Sequence, residues 1–474
     1  MRRLQVRTTV IGAAVAALAT IAVPVATRDV VATEQQTAPA QQAELSVTLS
    51  STTKRTVLAV ADFVVPSGDA DAAALSKLLA DVLWADFDFE REYSLVPRAK
   101  TASLGAPARP EDVAQRPDWG SSGAGADAVV IGTVTRSGKE FSVKIDIVGA
   151  PGSPAAGQIG FSSLYEHCAL ANPRFCSHSI ADDIHKKKRG LDGVARTRLA
   201  FSSDRDSARM STRTGVPVSG KEIYVSDYDG ANQQRFTFNN SLNIHSRWSP
   251  NGNQIVFTSY QTSFPDIYVA NLAEAGRGLR RPGNGNDRVQ NNQAAWSPDG
   301  SKIAYVSNRS GNYDIWIANA DGGDARNLTN HPAADQNPTW SPNGQQIAFT
   351  SDRATGSTPQ LYLIGISGQA IERLIDQRVD RPTWSTLGFI AFTSGSNFGH
   401  DISLLDLVSR QVTVLTDGKG DNGSPAVSPS GRHIAFTTSR WGKDQIAIVD
   451  RRGSDVRQIT NTGNNTYPSW QPIR

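Results

Sequence analysis

The chain has 474 residues, a net charge of +3 and 39% hydrophobic residues. This length suits two domains, each able to bury a core. The near-balanced charge excludes a protein built on a strong basic field for nucleic acid or membrane surfaces.

The first residues, Met1-Arg2-Arg3, precede an apolar run from Thr8 to Ala26. A basic start and an apolar stretch read as a secretory signal over residues 1–26, with cleavage after Ala22 or Ala32. An uncleaved membrane anchor is the alternative. Residues 27–54 are rich in Ala, Gln, Thr and Ser, too poor in large apolar side chains to fold. They predict a flexible arm on an exported chain with no membrane span after signal cleavage.

Residues 55–194 predict a compact α/β domain. Thr56–Phe63 reads as a buried strand, and Asp71–Phe87 carries helical periodicity through Leu75, Leu78, Leu79, Val82 and Leu83. Ser94–Pro97 reads as a short strand and Pro110–Gly120 as the start of a helix. Asp127–Thr135 and Glu140–Val148 predict a hairpin, Gln158–Tyr165 a further strand and Ser177–Lys188 the last helix. The basic run Lys186–Arg189 suits the C-terminal end of that helix, where cations meet the dipole. Cys168 and Cys176 are the only cysteines. In an exported protein they are candidates for a disulfide. Free thiols are an alternative, and so is a metal site with His167 and His178, although the spacing matches no standard zinc pattern.

From residue 195 to the end one pattern recurs six times. Its clearest copy starts at Trp296: WSPDGSKIAYVSNRSGNYDIWIANADGGDARNLTN. The anchors Trp248, Trp296, Trp340, Trp384, Val427 and Trp470 stand 48, 44, 44, 43 and 43 residues apart, the length of a four-stranded propeller blade. Second strands begin at Arg198, Gln254, Lys302, Gln346, Phe389 and His433. The first has no anchor before it, and Trp470 has no second strand after it. The expected architecture is therefore an α/β N-terminal domain followed by an all-β six-bladed propeller over residues 195–474, closed by the C-terminal strand.

No catalytic signature stands out: there is no Gly-x-Ser-x-Gly elbow, phosphate-binding loop or His-Glu-x-x-His pair, and no catalytic residue, cofactor or metal is expected. Glu222, Asp266, Asp314 and Asp401, with Gln360 and Gln445, open the third strand of each blade. A calcium ring and acceptors for backbone N–H groups at the preceding turn are the two readings, and single carboxylates spread around a ring suit calcium poorly. The loops entering each anchor strand carry Asn243, His245, Asn292, Gln293, Gln336, Asn337, Asp380, Arg381, Asn422 and Asn465. In a propeller they converge on one channel mouth. They serve as turn formers, and they also make a polar collar suited to a protein partner.

The repeat, AVADF at Ala59–Phe63, the stretch Asp118–Val134, HSIADDI at His178–Ile184 and the TRLAFSS run at Thr197 together resemble the TolB family of the Tol-Pal envelope system. The resemblance implies a monomeric, non-enzymatic adaptor in the periplasm of a Gram-negative bacterium. It implies that the propeller mouth binds the lipoprotein Pal and the arm binds TolA, in support of outer-membrane integrity and constriction at cell division. The chain departs from the family in a longer Ala/Gln-rich arm without a recognisable TolA-binding box. The Cys168–Cys176 segment looks like an insertion, and His245 stands in its own local order close to Trp248. A different class, an exported propeller enzyme or glycan-binding protein using the central channel, has one aromatic in the mouth loops, Tyr467, to support it.

Overall fold

The computed structural model describes residues 55–66, 70–207, 220–262, 264–275, 289–396 and 399–473. The expected signal (1–26) and arm (27–54) lie outside the described residues.

The front domain is built on a five-stranded sheet in the order Ser94–Leu95, Val57–Val60, Ala128–Ser137, Glu140–Gly149, Ile159–Ala169. Val57–Val60 pairs in parallel with both neighbours, and the rest are antiparallel hairpins. The period-two alternation of a strand sorts its side chains. Leu58 and Val60 enter one apolar cluster with the helices Ala70–Glu90 and Pro173–Arg189. Ala59 and Ala61 face the opposite side, against Val113 and Trp119.

Three local features differ from expectation. A short helix, Arg98–Ser103, occupies a stretch in which no element was expected. The segment expected as one helix from Pro110 is a turn of helix, Pro110–Ala114, then a 3-10 turn, Pro117–Trp119. Pro117 forces Arg116 into an extended conformation and so interrupts the helix. The last helix starts four residues early, at Pro173, because proline at the first helical position loses no hydrogen bond. It ends at Gly190, whose φ of 68° supplies the left-handed cap. Cys168, near the end of a strand, and Cys176, in the first turns of this helix, are joined by a disulfide. The two histidines beside them turn elsewhere: His167 bonds Glu140, and His178 bonds Asp86.

The propeller has six blades, described here by their innermost strands: blade 1 Asn465–Trp470, blade 2 Asn243–Trp248, blade 3 Asn291–Trp296, blade 4 Asp335–Trp340, blade 5 Val379–Trp384 and blade 6 Asn422–Val427. Blade 2 shows three strands among the described residues; the others show four. Blade 1 takes its inner strand from the C-terminus, where Asn465 pairs with Ser203 and Trp470 with Leu199. The anchor tryptophans link neighbours. The indoles of Trp248 and Trp340 donate to the carbonyls of Ser469 and Ala295, each on the inner strand of the preceding blade.

The front domain packs across the seam between the last and first blades. Phe87, Phe89, Ile184 and Val194 share one core with Leu199 and Tyr228 of blade 1 and Ile446 and Ile448 of blade 6. Polar contacts line the same junction. Arg432 reaches Glu90 at 2.5 Å, Arg457 reaches Asp88 at 2.9 Å, and Tyr228 donates to Asp86 at 2.7 Å. Burial pushes the Glu90 carboxyl up, but His433, Arg432 and His185 outweigh it and hold the group below the usual carboxylate range.

Burial pushes His185 and His433 below the usual imidazole range, and it does the same to His245 in the channel. The unfolded chain therefore takes up protons below about pH 6.5 that the folded protein refuses until the pH is lower. This stabilisation is complete above that pH and is lost as the pH falls. His178, held high by Asp86 despite its burial, acts in the opposite sense, but below pH 6.5 its contribution no longer changes. The expected result is a melting temperature that falls between pH 6.5 and pH 5 in differential scanning fluorimetry. Burial pushes the Asp182 carboxyl up to about 6, so its protonation over the same interval opposes this fall; a flat or rising profile in the Asp182→Asn variant contradicts the assignment of three neutral histidines.

Candidate functional site

The repeated residues around the ring first have to be divided into those that hold the ring together and those that face the channel. The acidic residues that open the third strands of blades 1, 3 and 5 belong to the first group. Glu222, Asp314 and Asp401 accept the hydroxyls of Thr237, Thr329 and Thr416. Each of these threonines in turn accepts the N–H of the residue after the acid: Ile223, Ile315 and Ile402. The carboxylates also accept backbone N–H groups from Asn240, His331 and Gly418. These donors lie in the turn after the fourth strand, not in the turn before the third as the sequence suggested. This network explains why the repeat ends in Leu-Thr, and it occupies these carboxylates with donors.

The first residue of the inner strand is committed as well. The side-chain amides of Asn243, Asn422 and Asn465 donate to Glu222, Asp401 and Gln445 of the preceding blade. All three residues have zero exposure. They pin blades together and offer nothing to a partner, which corrects the expectation that they belong to the exposed collar.

The third residue of each inner strand behaves differently. His245, Gln293, Asn337, Arg381, Ser424 and Tyr467 all have φ between 51° and 58°. A left-handed conformation costs a residue other than glycine about 1–2 kcal/mol. Each sits where the pairing register shifts, so every inner strand carries a β-bulge. Bulges re-aim side chains, and here the same position is re-aimed six times. Part of the strain is offset by bonds between blades. The N–H groups of Gln293, Ser424 and Tyr467 donate to Thr258, Thr393 and Thr437 of the preceding blade. Where that threonine is replaced by Val306, the N–H of Asn337 turns to the Gln293 side chain at 2.9 Å.

These side chains meet in the channel. Arg381 of blade 5 donates to Nε2 of His245 at 2.8 Å, so the contact spans opposite members of the ring. Its guanidinium lies 4.4 Å from the Tyr467 ring centre, and His245 meets the same ring edge-on at 4.5 Å. Burial, then the charges of Arg381 and Arg247, push His245 well below its usual range. The imidazole is neutral and accepts from Arg381. Asn337 donates to Asp380 at 2.8 Å, and Asp380 also contacts the Arg381 guanidinium at 3.4 Å. Arg247, two residues beyond the blade 2 bulge, has no carboxylate within ion-pair distance among the described residues. Burial and the nearby Arg381 lower it to about 10, which leaves it charged at neutral pH. The space enclosed by these residues is about 30 Å³, room for about two waters. A sugar or drug-sized ligand needs roughly ten times that volume.

Of the predicted collar, His245, Asn292, Gln293, Gln336, Asn337, Asp380 and Arg381 are partly exposed. Among them His245, Gln293, Asn337 and Arg381 line one cavity with Arg247. Sequence reading missed Arg247. Its signal was weak: a lone arginine in HSRW, between a polar bulge and a buried anchor. Two of the residues lining this cavity, Arg247 and Arg381, are cationic hydrogen-bond donors.

An α/β domain braced on a ring of six blades, with polar side chains closing the channel, defines a two-domain propeller protein. Residues 186–473 match the family model described as the TolB beta propeller domain. The Tol-Pal system protein TolB of Bordetella pertussis is 31% identical over 441 residues, covering 91% of this chain and 92% of that protein. The Haemophilus influenzae protein of the same name is 29% identical over 219 residues, 45% of this chain and 46% of its own length. The crystal structure of TolB from Acinetobacter baumannii has the same fold, with a TM-score of 0.69 at 20% identity, covering 89% of this chain and 98% of that one. The chain belongs to the TolB family.

Proposed function

We propose that this protein is the TolB component of a Tol-Pal system, a non-enzymatic periplasmic adaptor. The observation that carries the reading is the 31% identity to a Tol-Pal system protein over 91% of the chain, front domain and propeller together. In this reading residues 1–26 are removed on export, residues 27–54 form the arm that engages TolA, and the α/β domain (55–194) joins that arm to the propeller (195–474). The mouth binds Pal, and the protein acts as a monomer in outer-membrane integrity and constriction. Among the described residues no helix is long and apolar enough to cross a membrane.

The collar chemistry supports a protein partner. Its donors suit backbone carbonyls and acidic side chains, which a partner surface supplies in register. Two partners on one chain would influence each other only if each bound two states of it unequally.

The test is a pull-down with the Pal of the same organism, using mature protein with and without residues 27–54. We expect micromolar or tighter binding, weakened about tenfold or more by Arg381→Ala, the largest polar side chain of the collar. Absence of binding at micromolar protein in both forms would sink the reading.

A further inference from the structure

At the junction of the two domains lies a cluster that the adaptor role does not use. His178, on the last helix of the front domain, is 2% exposed, and its Nδ1 is held by Asp86 at 2.9 Å. Asp86 is 1% exposed and also accepts the Tyr228 hydroxyl. The other ring nitrogen of His178, Nε2, is buried without a hydrogen-bond partner among the described residues. One ligand atom from His178 and one each from Asp227 and Asp229, at the end of the third strand of blade 1 and in the turn after it, lie within 4.8 Å of one another.

We infer that His178, Asp227 and Asp229 form a binding site for one divalent transition metal of the zinc class, clamping the front domain to blade 1. Three features support it. Imidazole nitrogen and carboxylate oxygen are both donor types that zinc accepts, and three protein ligands leave a fourth position for water. Ligand atoms on a tetrahedral zinc stand about 3.3–3.6 Å apart, so no pair in the group needs to close by more than about 1.5 Å. Asp86 holds the far nitrogen of the histidine, the outer-shell carboxylate that fixes the tautomer of metal-bound imidazoles. The third feature is charge. Asp86, Asp227 and Asp229 contribute three negative charges, and Arg174, paired with both Asp227 and Asp229, contributes one positive. The remaining donors to these aspartates, Asn232 Nδ2 and the Ala231 N–H, are neutral. With its Nε2 freed of a proton to take the ion, His178 leaves the cluster with two net negative charges, which a divalent ion that displaces that proton balances. Arg174 is its competitor for the two carboxylates.

The ligands come from residues 49 and 51 positions beyond His178, in the other domain, so no local motif announces them. The cysteine alternative weighed from the sequence drew attention to the right histidine with the wrong partners.

The experiment uses untagged, chelator-treated full chain and isothermal titration with Zn²⁺, with Mg²⁺ and Ca²⁺ as comparison arms. We expect one zinc per chain at micromolar affinity or tighter, with a raised melting temperature and weaker response to the two hard cations. His178→Gln and Asp227→Asn should abolish it, and Asp86→Asn should weaken it about 10–100-fold. Arg174→Gln should tighten it by removing the competing cation. Co²⁺ in place of zinc should give the visible bands of a tetrahedral site. No stoichiometric binding to the unsubstituted chain at 100-fold excess over micromolar, or binding undiminished in both His178→Gln and Asp227→Asn, overturns the proposal. Should His178→Gln fail to fold, the unsubstituted chain and the Arg174→Gln direction still decide it.

Discussion

Removing Tyr467–Arg474 should unfold the propeller or lower its melting temperature by about 10 °C or more. The deleted stretch carries most of the inner strand of blade 1. With it go the pairing of Ser469 with Ala200 and of Trp470 with Leu199, and the 2.7 Å bond from the Trp470 indole to Thr197. The bond from the Trp248 indole to the Ser469 carbonyl goes too, so blade 2 also loses a link. Loss of one buried tryptophan costs about 3–5 kcal/mol, against a total stability of about 5–15 kcal/mol. Each kcal/mol corresponds to about 2–4 °C in a protein of this class. The truncated ring also exposes the edge of Arg198–Ser203, an invitation to association. Ile473 is exposed, so a chain ending at Pro472 serves as the control and should melt like the full protein. A melting curve unchanged by the eight-residue deletion would falsify closure by this strand.

Arg432→Ala should cost about 3–5 kcal/mol, an effect out of keeping with most single ion pairs. The side chain of Glu90 is 2% exposed and that of Arg432 is 18% exposed. Glu90 also accepts the Val194 N–H at 3.1 Å, and Arg432 donates to the Asp192 carbonyl at 2.9 Å. Truncating the arginine strands a carboxylate in the core between the domains, beside Phe89 and His433. The cost is then mainly that of an uncompensated buried charge. Adding Glu90→Gln to the same chain removes that charge and should restore part of the loss. A double-mutant cycle in chemical denaturation measures the coupling. A loss below about 1 kcal/mol places the pair among solvent-screened contacts.

How much of this was legible in the sequence depends on how local each signal is. The blades were legible because Trp-Ser-Pro-Asx-Gly and the apolar second strands repeat the same local physics six times. The closure followed from a mismatch in counting, one second strand too many at the start and one anchor too many at the end. The break at Pro117 was written in the chain but needed attention to Arg116, the residue before it. Asn243 and His245 look alike as polar loop residues. One is sealed between blades and the other re-aimed into the channel, and only the bulge separates them. No glycine marks that bulge, so its left-handed backbone is invisible to turn rules. The cluster around His178 depends on contacts between domains and leaves no periodic trace.

The six bulges have a consequence for how such a ring changes over time. The strained backbone is imposed by the blade and its neighbours, and within this one chain it already accommodates His, Gln, Asn, Arg, Ser and Tyr. The scaffold thus separates inheritance of shape from inheritance of contact. A substitution at a bulge rewrites one sixth of the collar while the pins beneath it, Asn243, Asn422 and Asn465, stay in place. Such a ring can alter its collar one residue at a time without passing through an unfolded ancestor.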